Sequence, residues 1–192
     1  MKLIKKYGCP DILINTAYPI SKNWKKINFN FLTLEDLKDN VHIHLNSTTW
    51  STLVIANQMK KNKINGSIIF INSIYGVLAQ DNNTYKDTNI SSNPLYSIIK
   101  GGLVSFSKNL ASYYGQFGIR SNSIISGGIE GKIAGTKEIQ STRFKNKYIK
   151  KTLLKRMARV EDISSAALFL STKESAYITG TEVYVDGGYA SI

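Results

Sequence analysis

A tyrosine and a lysine four residues apart are the first residues of this chain whose spacing indicates chemistry. Tyr96 and Lys100 stand in the stretch NPLYSIIKGG, which is otherwise largely apolar. If the stretch is helical, residues four apart lie one above the other on the same face. A cation beside a phenol favours the phenolate and lowers its pKa from about 10. The pair predicts a general acid or base, although by itself it is more typical of the rim of a core helix.

The elements that must position this pair alternate along the chain. Short apolar runs predict strands at residues 11–15, 66–73, 119–126 and 181–188, and the segments 41–61, 94–114 and 159–170 are helical in pattern. Continuous apolar runs are typical of strands buried on both faces of a parallel sheet. The alternation predicts an α/β fold with a doubly wound parallel sheet, in one domain spanning residues 1–192. A long polar loop, residues 81–94, interrupts the pattern and is functional or mobile.

Composition excludes several classes of protein. The chain has 192 residues, 42% of them hydrophobic and 20% charged, as in an ordinary globular domain. Its apolar runs fall far short of the ~20 residues that a membrane-spanning helix needs. The amino-terminal apolar segment is too short for a secretory signal. One cysteine, Cys9, excludes an internal disulfide and fits a reducing cytoplasm. No spacing typical of metal ligands is present.

Positive charge is concentrated in one segment. The net charge is +12, and residues 132–159 carry ten basic side chains against one acidic side chain. Such a segment fits a nucleic-acid or other anion-binding surface, or a lysine-rich composition on a solvated face. Because no aromatic-rich RNA motif or glycine-rich phosphate loop accompanies the charge, nucleic acid is not favoured as a partner.

Several motifs in fixed order extend this interpretation. DILINTAYP contains the first predicted strand, NSIYG ends the second, YSIIKGG holds the tyrosine and lysine, and IISGGIEG ends the third. The segment LKRMARVEDISSAALFLSTKESAYITGTEVYVDGG closes the chain. Together they resemble the short-chain dehydrogenase/reductase family over almost the whole length. The stretch NTAYP, combined with a gap between Ser73 and Tyr96 that is about ten residues longer than the family's usual one, most resembles bacterial members linked to surface-sugar or flagellin-glycan synthesis.

The resemblance implies roles for four catalytic residues. Tyr96 would exchange a proton with the substrate oxygen, Lys100 would lower the pKa of Tyr96, and Ser73 would hold that oxygen. His44 aligns with the asparagine that completes the family's catalytic set. A histidine can form the same hydrogen bond but titrates near neutrality, and a half-buried structural histidine is an equally good interpretation.

The resemblance also implies a cofactor, NAD or NADP, that carries the hydride. Asn15 and Ala17 would line it, Gly127, Gly128 and Ile129 would face the nicotinamide, and Tyr96 and Lys100 would contact its ribose end. Tyr18 stands where the family has a glycine. The family's amino-terminal strand and glycine-rich pyrophosphate turn have no counterpart in the printed sequence. The fold is therefore expected to be incomplete, without roughly the first three strands, and cofactor binding to be compromised.

Three functions stay open on this evidence. The first is hydride transfer between NAD(P) and a small carbonyl or hydroxyl substrate, such as a sugar derivative or an acyl thioester, with an anionic substrate favoured if the basic segment steers it. The second is a non-catalytic remnant or a subunit whose sheet is completed by another chain. The third is an anion-binding module. A homo-oligomer is also expected, with Gly101, Gly102, Leu103 and Phe106 of the helix at 94–114 forming a subunit interface.

Overall fold

Helices and strands alternate throughout the computed structural model, which describes residues 2–19, 21–133 and 137–192. The elements in chain order are α1 (Lys2–Tyr7), β1 (Ile12–Asn15), α2 (Leu34–Asn40), α3 (Ser47–Lys61), β2 (Ser67–Ser73), α4 (Asn82–Tyr85), α5 (Pro94–Tyr114), β3 (Arg120–Ser126), α6 (Thr142–Ile149), α7 (Val160–Ser171) and β4 (Glu182–Val185). A π-helical turn, Val41–Asn46, joins α2 to α3. Single 3₁₀ turns lie between several of these elements.

The four predicted strands form one parallel sheet in the order β1-β2-β3-β4. Side chains of β2 alternate between its two faces. Ile68 and Phe70 pack in a core with residues of α3 and α5, whereas Ile69 packs in a core with residues of α7. Helices therefore cover both faces of the sheet, which confirms the predicted α/β parallel architecture.

The helix expected at residues 41–61 begins earlier than predicted. Thr33 caps α2: its side chain accepts a hydrogen bond from the backbone N–H of Asp36, whose carboxylate accepts one from the backbone N–H of Thr33 in return. This reciprocal cap is a start signal that the apolar pattern does not reveal, because the residues just after it are largely polar. The chain is then helical to Lys61.

Two of the four residues expected to form a subunit interface on α5, Gly102 and Leu103, pack inside the protein. Leu103 is buried in the protein's own core, and the ring of Phe106 lies edge-on to that of Phe70 at 6.0 Å. A Cβ at Gly102 would lie 3.3 Å from the side chain of Leu45, so this glycine permits close packing inside the protein. Leu103 and Gly102 thus contribute to the packing of one chain, and the subunit interface itself stays a prediction.

The first strand lies at an edge. Within the described residues β1 pairs only with β2, and Ile12 and Ile14 stay 43% and 40% exposed. An apolar edge strand of this kind presents unpaired backbone groups to another strand. In the same residues, no helix is long and apolar enough to cross a membrane, and no three histidine, cysteine or acidic side chains cluster as metal ligands would.

Candidate active site

The hydroxyl groups of Ser73 and Tyr96 meet at the carboxyl end of β2. Ser73 is the last residue of this strand, and its Oγ accepts a hydrogen bond of 3.2 Å from the backbone N–H of Tyr75, which caps the following 3₁₀ turn. Tyr96 lies in the first turn of α5, where Asn93 caps the helix through the backbone N–H of Leu95. The Tyr96 phenol lies close enough to Ser73 for their interaction to lower the pKa of the phenol. Two separate capping interactions thus set the positions of both hydroxyls.

Close packing of a turn on a helix supports this pair. Gly76 ends the turn that follows Ser73, and a Cβ at this position would lie 2.9 Å from the backbone carbonyl carbon of Lys100. Real Cβ atoms essentially never approach backbone so closely, so only glycine lets the turn rest on α5 here. The sequence showed this glycine only as part of the motif NSIYG.

The pKa of Tyr96 moves in the opposite direction from the one predicted. Burial raises the pKa of the Tyr96 phenol, and the hydrogen bond with Ser73 offsets only part of that effect. The Nζ atom of Lys100 lies 5.9 Å from the centre of the Tyr96 ring, and a lowering of the Tyr96 pKa by this charge stays a prediction. The phenol is therefore held in its protonated form at neutral pH.

Lys100 is buried beneath the site. Its Nζ atom donates a 2.8 Å hydrogen bond to the backbone carbonyl of Ile71 and lies 5.4 Å from the ring centre of Tyr18. Burial lowers the pKa of the Lys100 ammonium to about 8, because the charged form loses hydration. The predicted Tyr96–Lys100 alignment on one face of α5 is present, but the ammonium is hydrogen-bonded to the sheet.

His44 is buried in the π-helical turn and does not titrate near neutrality. Burial lowers its pKa to about 4, with a further contribution from the nearby Lys100 charge. Its Nε2 atom lies 3.3 Å from the carbonyl oxygen of Ala17, and its ring stands edge-on to Tyr18 at 4.4 Å between centres. Its Nδ1 atom is buried without a partner among the described residues. The structure thus places His44 against the loop after β1, and its catalytic role stays a prediction.

The two residues predicted to line the cofactor near β1 lie beside these groups. Asn15 ends the strand, and its Nδ2 atom donates a 3.2 Å hydrogen bond to Oγ1 of Thr52 in α3. Ala17 is exposed and offers its carbonyl to His44. Tyr18 follows, and its hydroxyl is buried without a partner within the described chain.

The glycine pair after β3 packs against one acidic residue, Asp186, and one aromatic residue, Tyr148. A Cβ at Gly127 would lie 2.9 Å from Cα of Asp186, and one at Gly128 would lie 2.9 Å from the ring of Tyr148. The backbone N–H of Gly128 donates a hydrogen bond to the Tyr148 hydroxyl. Both glycines are needed for this packing whatever else they bind.

One cavity of about 330 Å³ opens over the Ser73–Tyr96 pair. Of the predicted site residues it is lined by Ser73, Tyr96, Gly127, Gly128 and Ile129. Lys100, His44, Asn15 and Ala17 do not line it and lie on the β1 side. The cavity also has walls that the sequence pattern did not reveal: Tyr18, Trp24, Ile74, Tyr75, Gln80, Tyr85, Ile90, Ser91, Asn93, Ser126, Lys132, Ile133, Gln140 and Phe144.

The basic segment, residues 132–159, is hereafter the lid, and four of its described residues line this cavity: Lys132, Ile133, Gln140 and Phe144. Its partner is the long polar loop, residues 81–93, hereafter the insert. Lys147 donates from Nζ to the backbone carbonyls of Asn83 and Lys86, Arg143 pairs with Asp87 at 3.2 Å, and Lys151 pairs with Asp81. The insert is therefore not a free loop, and it contains the short helix α4.

Much of the lid charge is used in contacts within the protein. At least six of its ten basic side chains contact acidic groups or backbone carbonyls: Arg143, Lys145, Lys147, Lys151, Lys155 and Arg156. Lys132 is exposed and lines the cavity. The charge pattern thus has a structural explanation that composition alone did not provide, and a steering role stays a prediction.

Comparisons with known proteins agree with this geometry. A family model described as enoyl-(acyl carrier protein) reductase matches residues 1–190. The chain belongs to the short-chain dehydrogenase/reductase family. It is 32% identical over 185 residues to post-translational flagellin modification protein A of Campylobacter coli, covering 96% of this chain and 69% of that protein. It is 33% identical to a 3-oxoacyl-(acyl-carrier-protein) reductase of Buchnera aphidicola subsp. Baizongia pistaciae, covering 96% and 68%.

A solved short-chain dehydrogenase from Leptospira borgpetersenii with bound NAD⁺ has the same fold. The TM-score is 0.83 with 33% identity, and the match covers 98% of this chain and 68% of that one. The predicted family resemblance is confirmed, and with it oxidoreductase chemistry of the short-chain dehydrogenase/reductase type. The chain spans about two thirds of the length of these proteins.

Proposed function

We propose that this protein transfers hydride between NAD or NADP and a carbonyl or hydroxyl substrate, with Tyr96 exchanging the proton. One observation carries the proposal: Tyr96 and Ser73, whose side chains interact, line the same cavity, which is large enough for a small organic substrate. The protonated phenol is the acid that a carbonyl oxygen requires as negative charge develops on it.

Each catalytic side chain has a separate part in this scheme. Tyr96 donates its proton to the substrate oxygen during reduction and accepts one during oxidation. Ser73 donates a second hydrogen bond to the same oxygen and orients it. Lys100 contributes a buried positive charge behind Tyr96 that favours the phenolate left after proton transfer. A bound nicotinamide supplies or accepts the hydride.

The nicotinamide end of a cofactor fits the residues present. The wall formed by Gly127, Gly128 and Ile129 leads to Tyr96, and the buried Tyr18 hydroxyl at this wall has no partner in the described residues. Tyr96 lines this wall, Lys100 lies 5.4 Å from the centre of the Tyr18 ring, and Asn15 and Ala17 precede Tyr18 in the chain. We assign these residues to the cofactor, NAD or NADP.

We further propose that the isolated chain binds this cofactor weakly. The glycine-rich turn that cradles the pyrophosphate in this family has no counterpart in the printed sequence, and the edge of β1 is open within the described residues. The open edge of β1 can pair with a further strand, from this protein or from another chain. The same edge supports the alternative function, a non-catalytic remnant or a subunit that requires another chain.

Three finer assignments belong to this proposal. The chain acts in the cytoplasm, as one cysteine and a nicotinamide cofactor indicate. It forms a homo-oligomer, with the exposed Trp50 and the apolar edge of β1 available for contact. Its substrate carries negative charge near the exposed Lys132 at the cavity rim.

The test measures oxidation of NADH and NADPH by a panel of ketones and aldehydes. The chain is assayed alone and with the unmatched part of the Campylobacter coli relative supplied as a second polypeptide. We expect little activity alone and turnover in the second arrangement. Tyr96→Phe should then lower turnover by roughly 10²- to 10⁴-fold, because it keeps the ring but removes the proton.

The matched control is Tyr177→Phe, since Tyr177 is fully exposed. It should leave turnover unchanged. Full turnover by Tyr96→Phe would refute the assignment of the proton donor. Absence of turnover in both arrangements, with the protein folded by circular dichroism, would favour the non-catalytic alternative.

A further inference from the structure

Trp24 occupies a central place in the cavity wall that the catalytic scheme does not explain. It lies in a 3₁₀ turn, Trp24–Lys26, in the long connection between β1 and α2. Its ring stands edge-on to Tyr18 at 5.3 Å and to Tyr96 at 6.5 Å between ring centres. Tyr18 and Tyr96 are themselves edge-on at 5.5 Å. The three rings form one continuous aromatic wall that ends at the catalytic phenol.

The position of Trp24 is held from two sides. Its backbone carbonyl accepts a 3.5 Å hydrogen bond from Nδ2 of Asn93, next to the start of α5. The adjacent Lys25 pairs with Glu138 of the lid at 3.1 Å. The ring is therefore placed between the helix that carries Tyr96 and the lid, whose residues line the same cavity.

The rest of the wall is largely apolar. Aliphatic and aromatic side chains line it on the lid and insert sides: Ile74, Tyr75, Tyr85, Ile90, Ile129, Ile133 and Phe144. A cavity of this kind favours an apolar group of the substrate, because binding removes the apolar surface of that group from contact with water.

The amides of the wall, which could recognise hydroxyl groups, are already used. Gln80 accepts from the backbone N–H of Asn93 and donates to its carbonyl. Gln140 accepts from Gly131 and donates to Ile129. Asn93 accepts from Leu95 and donates to Trp24. Each amide thus uses both its oxygen and its nitrogen in hydrogen bonds within the protein. A polyhydroxylated substrate would therefore find no side-chain amide of this wall free to bind its hydroxyls, and only hydroxyl groups such as those of Tyr18 and Tyr75 remain as side-chain partners.

We propose that Trp24 determines substrate specificity by packing against an apolar acyl group beside the reacting carbonyl, and that the cavity disfavours free sugars. This inference rests on the proposed function, because it takes the Ser73–Tyr96 pair as the point where the carbonyl binds. Contact with the rings of Trp24 and Phe144 selects the apolar group. The exposed Lys132 at the cavity rim binds an anionic group of the substrate beyond the apolar one.

The experiment uses Trp24 as its own reporter. The chain has two tryptophans, and Trp50 is 70% exposed on α3. Trp50→Phe leaves Trp24 as the sole tryptophan, and its emission is followed during titration with the S-(3-oxooctanoyl) thioester of N-acetylcysteamine or with D-glucose. We expect a saturable change with the thioester and a Kd at least tenfold higher for glucose.

Calorimetric titration of two variants then separates specificity from folding. Trp24→Ala should raise the Kd of the thioester at least tenfold and leave that of glucose unchanged, whereas Trp24→Phe should retain most thioester affinity. Leu168→Ala, an exposed position on α7, is the control and should change neither. Glucose binding as tight as the thioester, no response of a folded protein to the thioester, or an equal effect of Trp24→Ala on both ligands would each overturn the proposal.

Failure of the proposed function gives a different result. The binding preference can hold while no preparation oxidises NADH or NADPH with either compound. That result would confirm that Trp24 determines binding specificity and would refute hydride transfer. In an active preparation, the thioester should have a kcat/KM at least tenfold above that of glucose. The reverse order would overturn the assignment of Trp24.

Discussion

The Nζ atom of Lys100 donates a 2.8 Å hydrogen bond to the backbone carbonyl of Ile71. This bond anchors helix α5 to strand β2 directly beneath the Ser73–Tyr96 pair. It also keeps an ammonium group in a buried place, where burial lowers its pKa to about 8. The same side chain therefore contributes to the structure and to the electrostatics of the site.

Lys100 should make stability depend on pH above 8. An unfolded lysine has a pKa of about 10.4, so between pH 8 and 10 the unfolded chain holds a proton that the folded chain has released. Unfolding therefore becomes harder as pH rises. Relative to Lys100→Met, the wild type should gain up to about 1.4 kcal/mol of unfolding free energy per pH unit over this range. Urea unfolding at pH 7, 8, 9 and 10 measures the difference.

The same-helix control is Lys108→Met, at an exposed lysine paired with Glu182. It should follow the wild type from pH 8 to 10. A stability difference between wild type and Lys100→Met that stays constant over that range would contradict the burial of a titrating ammonium.

His44 should destabilise the fold in acid. Its pKa is lowered to about 4 by burial, against about 6.5 in an unfolded chain. Between pH 6.5 and 4 the unfolded chain binds the additional proton, so stability falls as pH falls, by up to about 3 kcal/mol at pH 4. His44→Asn should remove this contribution, and urea unfolding from pH 7 to 4 measures it.

His42 offers a matched control two residues away in the same π-helical turn, where it is exposed. His42→Asn should leave the acid dependence as in the wild type. Equal effects of the two substitutions would show that burial of His44 is not the cause.

Gly76→Ala should distort the site through the backbone. The new methyl group would lie 2.9 Å from the carbonyl carbon of Lys100, and overpacking of this kind costs about 1–3 kcal/mol. The turn must shift, so Ser73 loses its place beside Tyr96 and turnover falls with stability. Thermal unfolding and steady-state kinetics on the same preparation measure the two effects.

Gly115→Ala is the opposite case. Gly115 has φ −56° at the end of α5, and nothing lies within 4 Å of an added Cβ. It should be neutral or stabilise by about 0.4–1 kcal/mol, because alanine restricts the unfolded chain. Equal losses at both glycines would contradict close packing as the reason for Gly76.

Lys147 should hold the insert to the lid. Its ammonium caps the carboxyl end of α4 through the carbonyls of Asn83 and Lys86. Lys147→Met should lower the free energy of unfolding by about 0.5–1.5 kcal/mol and speed proteolytic cleavage of the insert. Lys150→Met, at an exposed lysine three residues further on, should do neither. Cleavage at the wild-type rate in Lys147→Met would show that the hydrogen bonds from Lys147 do not stabilise the insert.

Local patterns were sufficient for the elements and for the central pair. The apolar runs ending at Asn15, Ser73 and Ser126 specify strands because burial on both faces requires uninterrupted apolar side chains. Helical spacing places Tyr96 above Lys100, and a strand end places Ser73 at the sheet edge where ligands bind. Each of these depends on residues within one or two turns of each other, which the order of side chains specifies directly.

The tertiary structure alone decided the rest, because the deciding contacts join distant parts of the chain. Trp24 reaches the wall of the cavity through contacts with residues about 70 positions away, and the lid charges meet an insert more than 50 positions earlier. The direction of the Tyr96 pKa, the neutral state of His44 and the partner of Lys100 follow from burial and from geometry between α5, β2 and the π-helical turn. No spacing within a single element carries that information, since desolvation and long-range hydrogen bonds exist only once the layers have packed.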